Sequence, residues 1–140
     1  MHEGISLVFD VDGTLCPIKE TGEEYIDLPP DEEMVKRLRE YKAGGARIVL
    51  LTSRNMRTYN GNLGLINANT AVVMQEWLKK NDIPYDEIYF AKPWPGHRGI
   101  YIDDRAVRPD EFLKYGFDEL EEICHKSTRV RKNAKKGGKK

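Results

Sequence analysis

Long apolar runs are missing from this 140-residue chain. None approaches the roughly 20 residues that a membrane-spanning helix requires. Met1-His2-Glu3-Gly4 places no basic stretch ahead of an apolar one, so no secretory signal is expected there. Cysteine is scarce. Cys16 and Cys124 show neither metal-binding nor redox-pair spacing, which removes a zinc ribbon and a disulfide framework from consideration. Nothing demands an oxidising compartment, and a cytoplasmic location is expected. No internal repeat is present. Net charge is absent too, with 23 basic and 23 acidic side chains, yet that balance hides an asymmetry. Residues 126–140 carry Lys126, Arg129, Arg131, Lys132, Lys135, Lys136, Lys139 and Lys140 and no acid. The preceding 125 residues are left with fifteen basic against twenty-three acidic side chains, a net of −8. An acidic folded body (1–125) and a basic, disordered tail (126–140) are expected.

What the chain does have begins at Ile5-Ser6-Leu7-Val8-Phe9-Asp10-Val11-Asp12-Gly13-Thr14-Leu15. The apolar, β-forming run reads as a buried parallel strand. It ends in one carboxylate, and a second follows two residues later. Ligands in such sheets gather beyond the carboxyl ends of the strands. Two carboxylates this close repel unless positive charge lies between them. A hard divalent cation with oxygen ligands, Mg²⁺, is the simplest partner.

The rest of the chain alternates in the same style. Residues 15–30, punctuated by Pro17, Gly22, Pro29 and Pro30, read as a loop or short hairpin. Asp31 is a candidate cap for a helix carrying Met34, Val35, Leu38 and Tyr41, which Gly44-Gly45 ends. Ala46–Leu51 reads as a second buried strand, finishing in Thr52-Ser53-Arg54. Residues 55–69 read as a polar loop with a partial helix, and 70–81 as a helix with Val73, Trp77 and Leu78 inward. A third strand is expected at about 87–91. Lys92-Pro93-Trp94-Pro95-Gly96-His97-Arg98 is too proline-rich for regular structure. Gly99–Ile102 reads as a fourth strand ending in Asp103-Asp104-Arg105. Short helices follow from Pro109 to about Tyr115 and over 118–124. The expected architecture is α/β: a mostly parallel, Rossmann-like sheet flanked by helices.

Each expected strand ends in a chemically useful residue. Strand one brings Asp10 and Asp12, strand two Thr52 and Ser53, the loop after strand three Lys92, and strand four Asp103 and Asp104. Parallel strands line up their carboxyl ends along one edge. Carboxylates around a cation, with hydroxyls and one ammonium, suit a phosphorylated substrate. Asp10 is the candidate nucleophile at phosphorus. Asp12 is the candidate general acid, then the base for water. Thr52 and Ser53 are candidate phosphate ligands, Lys92 a fixed positive charge, and Asp10, Asp12, Asp103 and Asp104 the candidate metal set. Each has a plainer reading on its own: Thr52 and Ser53 as turn residues, Lys92 as a solvated lysine, Asp103-Asp104-Arg105 as a salt-bridged turn.

Asp10-Val11-Asp12-Gly13-Thr14, Thr52 after Ile48-Val49-Leu50-Leu51, Lys92, and Asp103-Asp104 after an apolar run together resemble the four signature motifs of the haloacid dehalogenase-like (HAD) superfamily. The resemblance spans about residues 5–112. It implies the HAD fold, and Asp12 two residues after Asp10 implies a phosphatase-type member. Leu51–Asn62, Lys92-Pro93-Trp94 and Tyr101–Arg105 are similar to small HAD phosphatases encoded with bacterial capsular-polysaccharide genes, which implies a sugar or polyol phosphate as substrate. Neither 15–30 nor 53–91 leaves room for the cap domain that many members carry, so an open site is expected. Such a site suits a large substrate, or a small one closed over by a second subunit.

Candidate specificity residues are Arg54, Asn55, Arg57, Tyr59 and Asn60 after strand two, and Trp94, His97 and Arg98 after Lys92. Arginine suits bidentate phosphate or carboxylate contacts, and Trp94 can stack on a sugar or base. Packing under the proline-rich loop is the competing role for Trp94, and a plain surface position the competing role for His97. Cys16 is expected to be buried and inert. Two other functions stay open: a nucleic-acid 3′-phosphatase using the basic tail, and a non-catalytic binding module on the same fold.

Overall fold

The computed structural model describes residues 1–130. Most of the basic tail therefore lies outside the described residues. The chain forms two compact units, Met1–His97 and a second beginning at Arg98.

The first unit holds a parallel sheet in the order β1-β2-β3, with β1 at Ser6–Phe9, β2 at Arg47–Leu51 and β3 at Glu87–Tyr89. Ile48, Val49 and Leu50 of the central strand are all buried, as their unbroken apolar run requires. Phe9 on β1 is buried but Val8 is 61% exposed. Among the described residues β1 pairs with β2 alone, and no strand lies on its other edge. Asp86 closes the entry to β3: its Oδ2 accepts the Ile48 N–H at 2.8 Å and its Oδ1 meets Lys42 Nζ at 2.6 Å. Arg47 and Glu87 pair across the two strands.

Helix α1 spans Glu32–Ala43, and the Asp31 side chain caps it by accepting the Met34 N–H at 3.0 Å. Met34, Val35, Leu38 and Tyr41 are its buried face, at the spacing read from the sequence. The second helical region begins with the partial helix expected within 55–69 and runs on without a break. Asn62 accepts the Leu65 N–H and opens α2 at Leu63–Leu65. A π turn over Ile66–Thr70 leads directly into α3, Ala71–Lys80. Its inward residues are Met74, Trp77 and Leu78, with Val73 only half-buried. Met74 lies three and four positions before Trp77 and Leu78, on the same helical face. Trp77 is fully buried and its Nε1–H donates to Leu28 O at 2.8 Å, tying α3 to the loop 15–30. That loop contains one 3₁₀ turn, Tyr25–Asp27, against which α3 packs.

The second unit contains α4 at Pro109–Lys114 and α5 at Phe117–Ser127, with Phe112 and Leu120 buried. Helix α5 runs further than the turn or two expected and takes in Lys126. The expected fourth strand is not formed: residues 99–102 are irregular, and Ile100 and Ile102 are 80% and 93% exposed. A strand exists only through its ladder, and β propensity by itself does not supply a neighbour.

Replacing Asp31 by Ala leaves the α1 amide of Met34 without its acceptor and should cost about 1 kcal/mol. The urea midpoint should fall with the m-value unchanged.

Candidate active site

The three parallel strands deliver their C-terminal residues to one edge of the sheet. Asp10 follows Phe9, the last residue of β1, and Thr52 follows Leu51, the last of β2. The Thr52 N–H donates to Tyr89 O at 3.0 Å and Thr52 O accepts the Lys92 N–H at 3.1 Å. This pair of bonds extends the β2–β3 ladder and seats Lys92. Ala91 immediately before it has φ 69°, a left-handed conformation unfavourable to alanine. The backbone thus turns sharply where the lysine is presented. Lys92 Nζ lies 3.5 Å from Asp10 Oδ1, across 82 residues of sequence. Thr14, on the turn after β1, donates to Asp10 Oδ2 at 3.4 Å.

Burial pushes the Asp10 carboxyl above its ordinary range, Lys92 opposes that, and the charge on Asp12 adds to it. A carboxylate kept partly desolvated and next to a second one is a signature of a functional site.

Asp12 has a different cation. Arg54 grips it with two bonds, Nε to Oδ2 at 3.1 Å and Nη2 to Oδ1 at 2.8 Å. The Arg54 side chain is 1% exposed and its guanidinium lies 4.1 Å from the centre of the Tyr25 ring. Nη1 is buried without a hydrogen-bond partner. This pairing charges a desolvated guanidinium against a desolvated carboxylate in the bidentate geometry that arginine favours. Arg54, a candidate substrate ligand in the sequence, is thus engaged with Asp12. The aromatic shelf of Tyr25 could not be anticipated, since nothing in the acidic loop 15–30 marks it as Arg54's neighbour. Cys16 also touches this pair, at 3.5 Å from Asp12 Oδ1. Burial, with Asp12 beside it, pushes its thiol up to about 12, so it stays an unreactive thiol, as expected.

The other candidates separate into two groups. Thr52 is 1% exposed and its Oγ1 accepts the Arg54 N–H at 3.0 Å, so the turn role holds and one hydroxyl proton is left to donate. Ser53 is half-buried. Asn55, at φ 63°, accepts from Thr70 Oγ1 at 2.7 Å and donates to Thr58 Oγ1, which makes it a loop brace. Arg57, Trp94 and His97, in contrast, gather at the surface. Arg57 Nη1 is 3.3 Å from His97 Nε2, its guanidinium lies 5.7 Å from the Trp94 ring centre, and Trp94 meets His97 edge-on. Trp94 is 40% exposed and is not packed beneath its loop. These three belong to the two loops that also carry Arg54 and Lys92. Tyr59 lines a small cavity of about 240 Å³ together with Tyr25, Arg54, Asn55, Asn69, Thr70 and Val73.

Asp103 and Asp104 lie in the second unit. Asp103 Oδ1 accepts the Arg105 N–H at 2.9 Å, a local turn bond, and Asp104 Oδ2 accepts from Thr128 Oγ1 at 2.8 Å. Among the described residues no three His, Cys, Asp or Glu side chains are grouped for a metal ion.

No protein-family model and no curated protein matches the chain. A crystal structure of a structural-genomics target from Vibrio cholerae does match, with 45% sequence identity and a TM-score of 0.82. The match covers 89% of this chain and 99% of that one.

Asp10 carries a carboxyl raised by burial, so its ionised form opposes folding. Between its unfolded and folded pKa the native state binds more protons, and stability falls as pH rises through that window. Asp10→Asn should therefore raise the melting temperature at neutral pH, and the gain should disappear on acidification below the ordinary carboxylate range. Thermal melts of both proteins over a pH series provide the measurement.

Proposed function

For a chain that belongs to the same family as this Vibrio cholerae protein, we propose a Mg²⁺-dependent phosphomonoesterase of HAD type that works through an aspartyl-phosphate. The observation carrying the proposal is the meeting of Asp10 with Lys92 at the end of a parallel strand. An isolated structural aspartate has no need of a lysine brought from 82 residues away and seated by a left-handed alanine.

In the first step an Asp10 carboxylate oxygen attacks phosphorus. The bond from phosphorus to the ester oxygen breaks, and Asp12 in its acid form gives that oxygen a proton. In the second step a water gives its proton to Asp12 and attacks phosphorus. The acyl-phosphate bond breaks, returning the Asp10 carboxylate and free phosphate. Arg54 holds the Asp12 carboxyl in place through two hydrogen bonds. Lys92 places positive charge beside the oxygens that gain negative charge. The Thr52 hydroxyl and Ser53 are the further donors proposed for those oxygens.

Asp10 supplies a hard, one-third-exposed carboxylate oxygen of the kind Mg²⁺ takes. Both Asp12 oxygens face Arg54, so Asp10 is the carboxylate of the first unit proposed to meet the cation. Held by Asp10, Mg²⁺ would supply positive charge to neutralise the phosphate. The surface group of Arg57, Trp94 and His97 supports a small polar substrate with a face to stack on, in line with a sugar or polyol phosphate of polysaccharide synthesis.

Hydrolysis of an aryl phosphate with added Mg²⁺ should be lost in Asp10→Asn and in excess EDTA. In Lys92→Ala it should fall by roughly 10²–10³. A panel of sugar, polyol and nucleotide phosphates and phosphorylated oligonucleotides should favour the sugar and polyol esters. An Asp10→Asn protein as active as the wild type would falsify the mechanism.

A further inference from the structure

The cavity of about 240 Å³ beside Tyr59 has on its wall a residue with an unused donor. Arg54 lines it, and Arg54 Nη1 is buried and meets no acceptor among the described residues. A buried N–H group without a partner is costly, and an acceptor entering the cavity would relieve that cost. We propose that the cavity receives the acetamido group of an N-acetylated amino-sugar phosphate, whose carbonyl oxygen accepts from Arg54 Nη1. The sugar phosphate rests on the proposed phosphatase reading; the acyl group rests on the cavity.

Charge selects a neutral acceptor. Arg54 is already matched by Asp12 through two bonds, and Asp10 lies two residues from Asp12. A further anion against this arginine would face both carboxylates. The other donors on the walls are spent. Thr70 Oγ1 donates to Asn55 Oδ1 at 2.7 Å, Asn55 Nδ2 to Thr58 Oγ1 at 3.2 Å, and Asn69 Nδ2 to Leu65 O at 3.0 Å. Among the described residues no donor reaches Asn69 Oδ1. Tyr25, Tyr59 and Val73 bring mostly carbon to the walls. An acetamido group matches this set: a carbonyl oxygen for Arg54, an N–H for Asn69 Oδ1 and a methyl for the carbon surface. The volume lies below the roughly 300–1,000 Å³ of sites that enclose a whole drug-sized ligand, so a substituent enters and the rest of the sugar stays outside. The walls are set in advance. The Tyr59 N–H donates to Asn55 O at 3.0 Å, and Asn55 and Asn60 hold left-handed φ of 63° and 50°, which closes the loop that carries Tyr59. Arg54 is both a wall of the cavity and the partner of Asp12, so a group bound there lies one guanidinium away from the proposed proton donor.

Free sugars test the cavity without any turnover. In amide NMR spectra of the full chain, N-acetylglucosamine should shift the resonances of Tyr59, Asn69 and Val73. Glucose and sodium acetate at equal concentration should not. No shift at these residues, or an equal shift with glucose or with acetate, overturns the acyl site. Val73→Phe should fill the cavity and remove the response to N-acetylglucosamine. A folded Val73→Phe protein that keeps the response overturns the site, and the wild-type comparison decides the matter if this variant does not fold. In turnover with Mg²⁺, kcat/KM for the 1- or the 6-phosphate of N-acetylglucosamine should exceed that for the matching glucose phosphate by on the order of tenfold, the worth of one buried methyl and one hydrogen bond. A protein that hydrolyses both esters alike overturns the acyl site and leaves the phosphatase standing. One that binds N-acetylglucosamine at these residues but hydrolyses no phosphate sinks the phosphatase reading and leaves the acyl site standing.

Discussion

Two carboxylates sit two residues apart at the end of a buried strand, and each is met by its own cation. Lys92 answers Asp10 and Arg54 answers Asp12. Unpaired, the two acids would repel and neither would tolerate partial burial. Much of the first unit is arranged to deliver those cations. Thr52 ties the start of the Arg54 loop to the backbone of Lys92, the left-handed Ala91 turns the chain toward the site, and Tyr25 lies against the guanidinium.

The two ion pairs are unequal in a way that matters for chemistry. The Arg54–Asp12 pair is bidentate and its arginine is almost wholly buried, which locks the Asp12 side chain in one orientation. The Lys92–Asp10 contact is longer and both side chains are partly exposed. The half-buried Asp10 carboxylate is not gripped at both oxygens by one arginine, whereas Asp12 cannot turn without first leaving Arg54. That contrast is a ground for the division of roles proposed for Asp10 and Asp12.

Residues 15–30 make one 3₁₀ turn and pack down through Leu28 and Trp77, so this connection does not build a lid domain. The surface group of Arg57, Trp94 and His97 is part of what the first unit offers a substrate beyond the reacting phosphate.

Local pattern alone was enough for the β1 to β3 strands, the Asp31 cap, the buried face of α1 and the strand-end position of Asp10, Thr52 and Lys92. Each depends on residue spacing or on a neighbour a few positions away. A partial helix within 55–69 was legible from Leu63, Leu65 and Ile66, but its direct continuation through Asn67 and Asn69 into the next helix was not, because packing of Ile66 and Thr70 overrode their propensity. Arg54 was visible as a candidate but its engagement with Asp12 was not, since bidentate pairing depends on where two loops 42 residues apart come to rest. Residues 99–102 show the limit most plainly. Their composition determined that they would suit a strand, but pairing is a relation between two segments, and only the tertiary structure decided that β2 is the one strand beside β1 among the described residues.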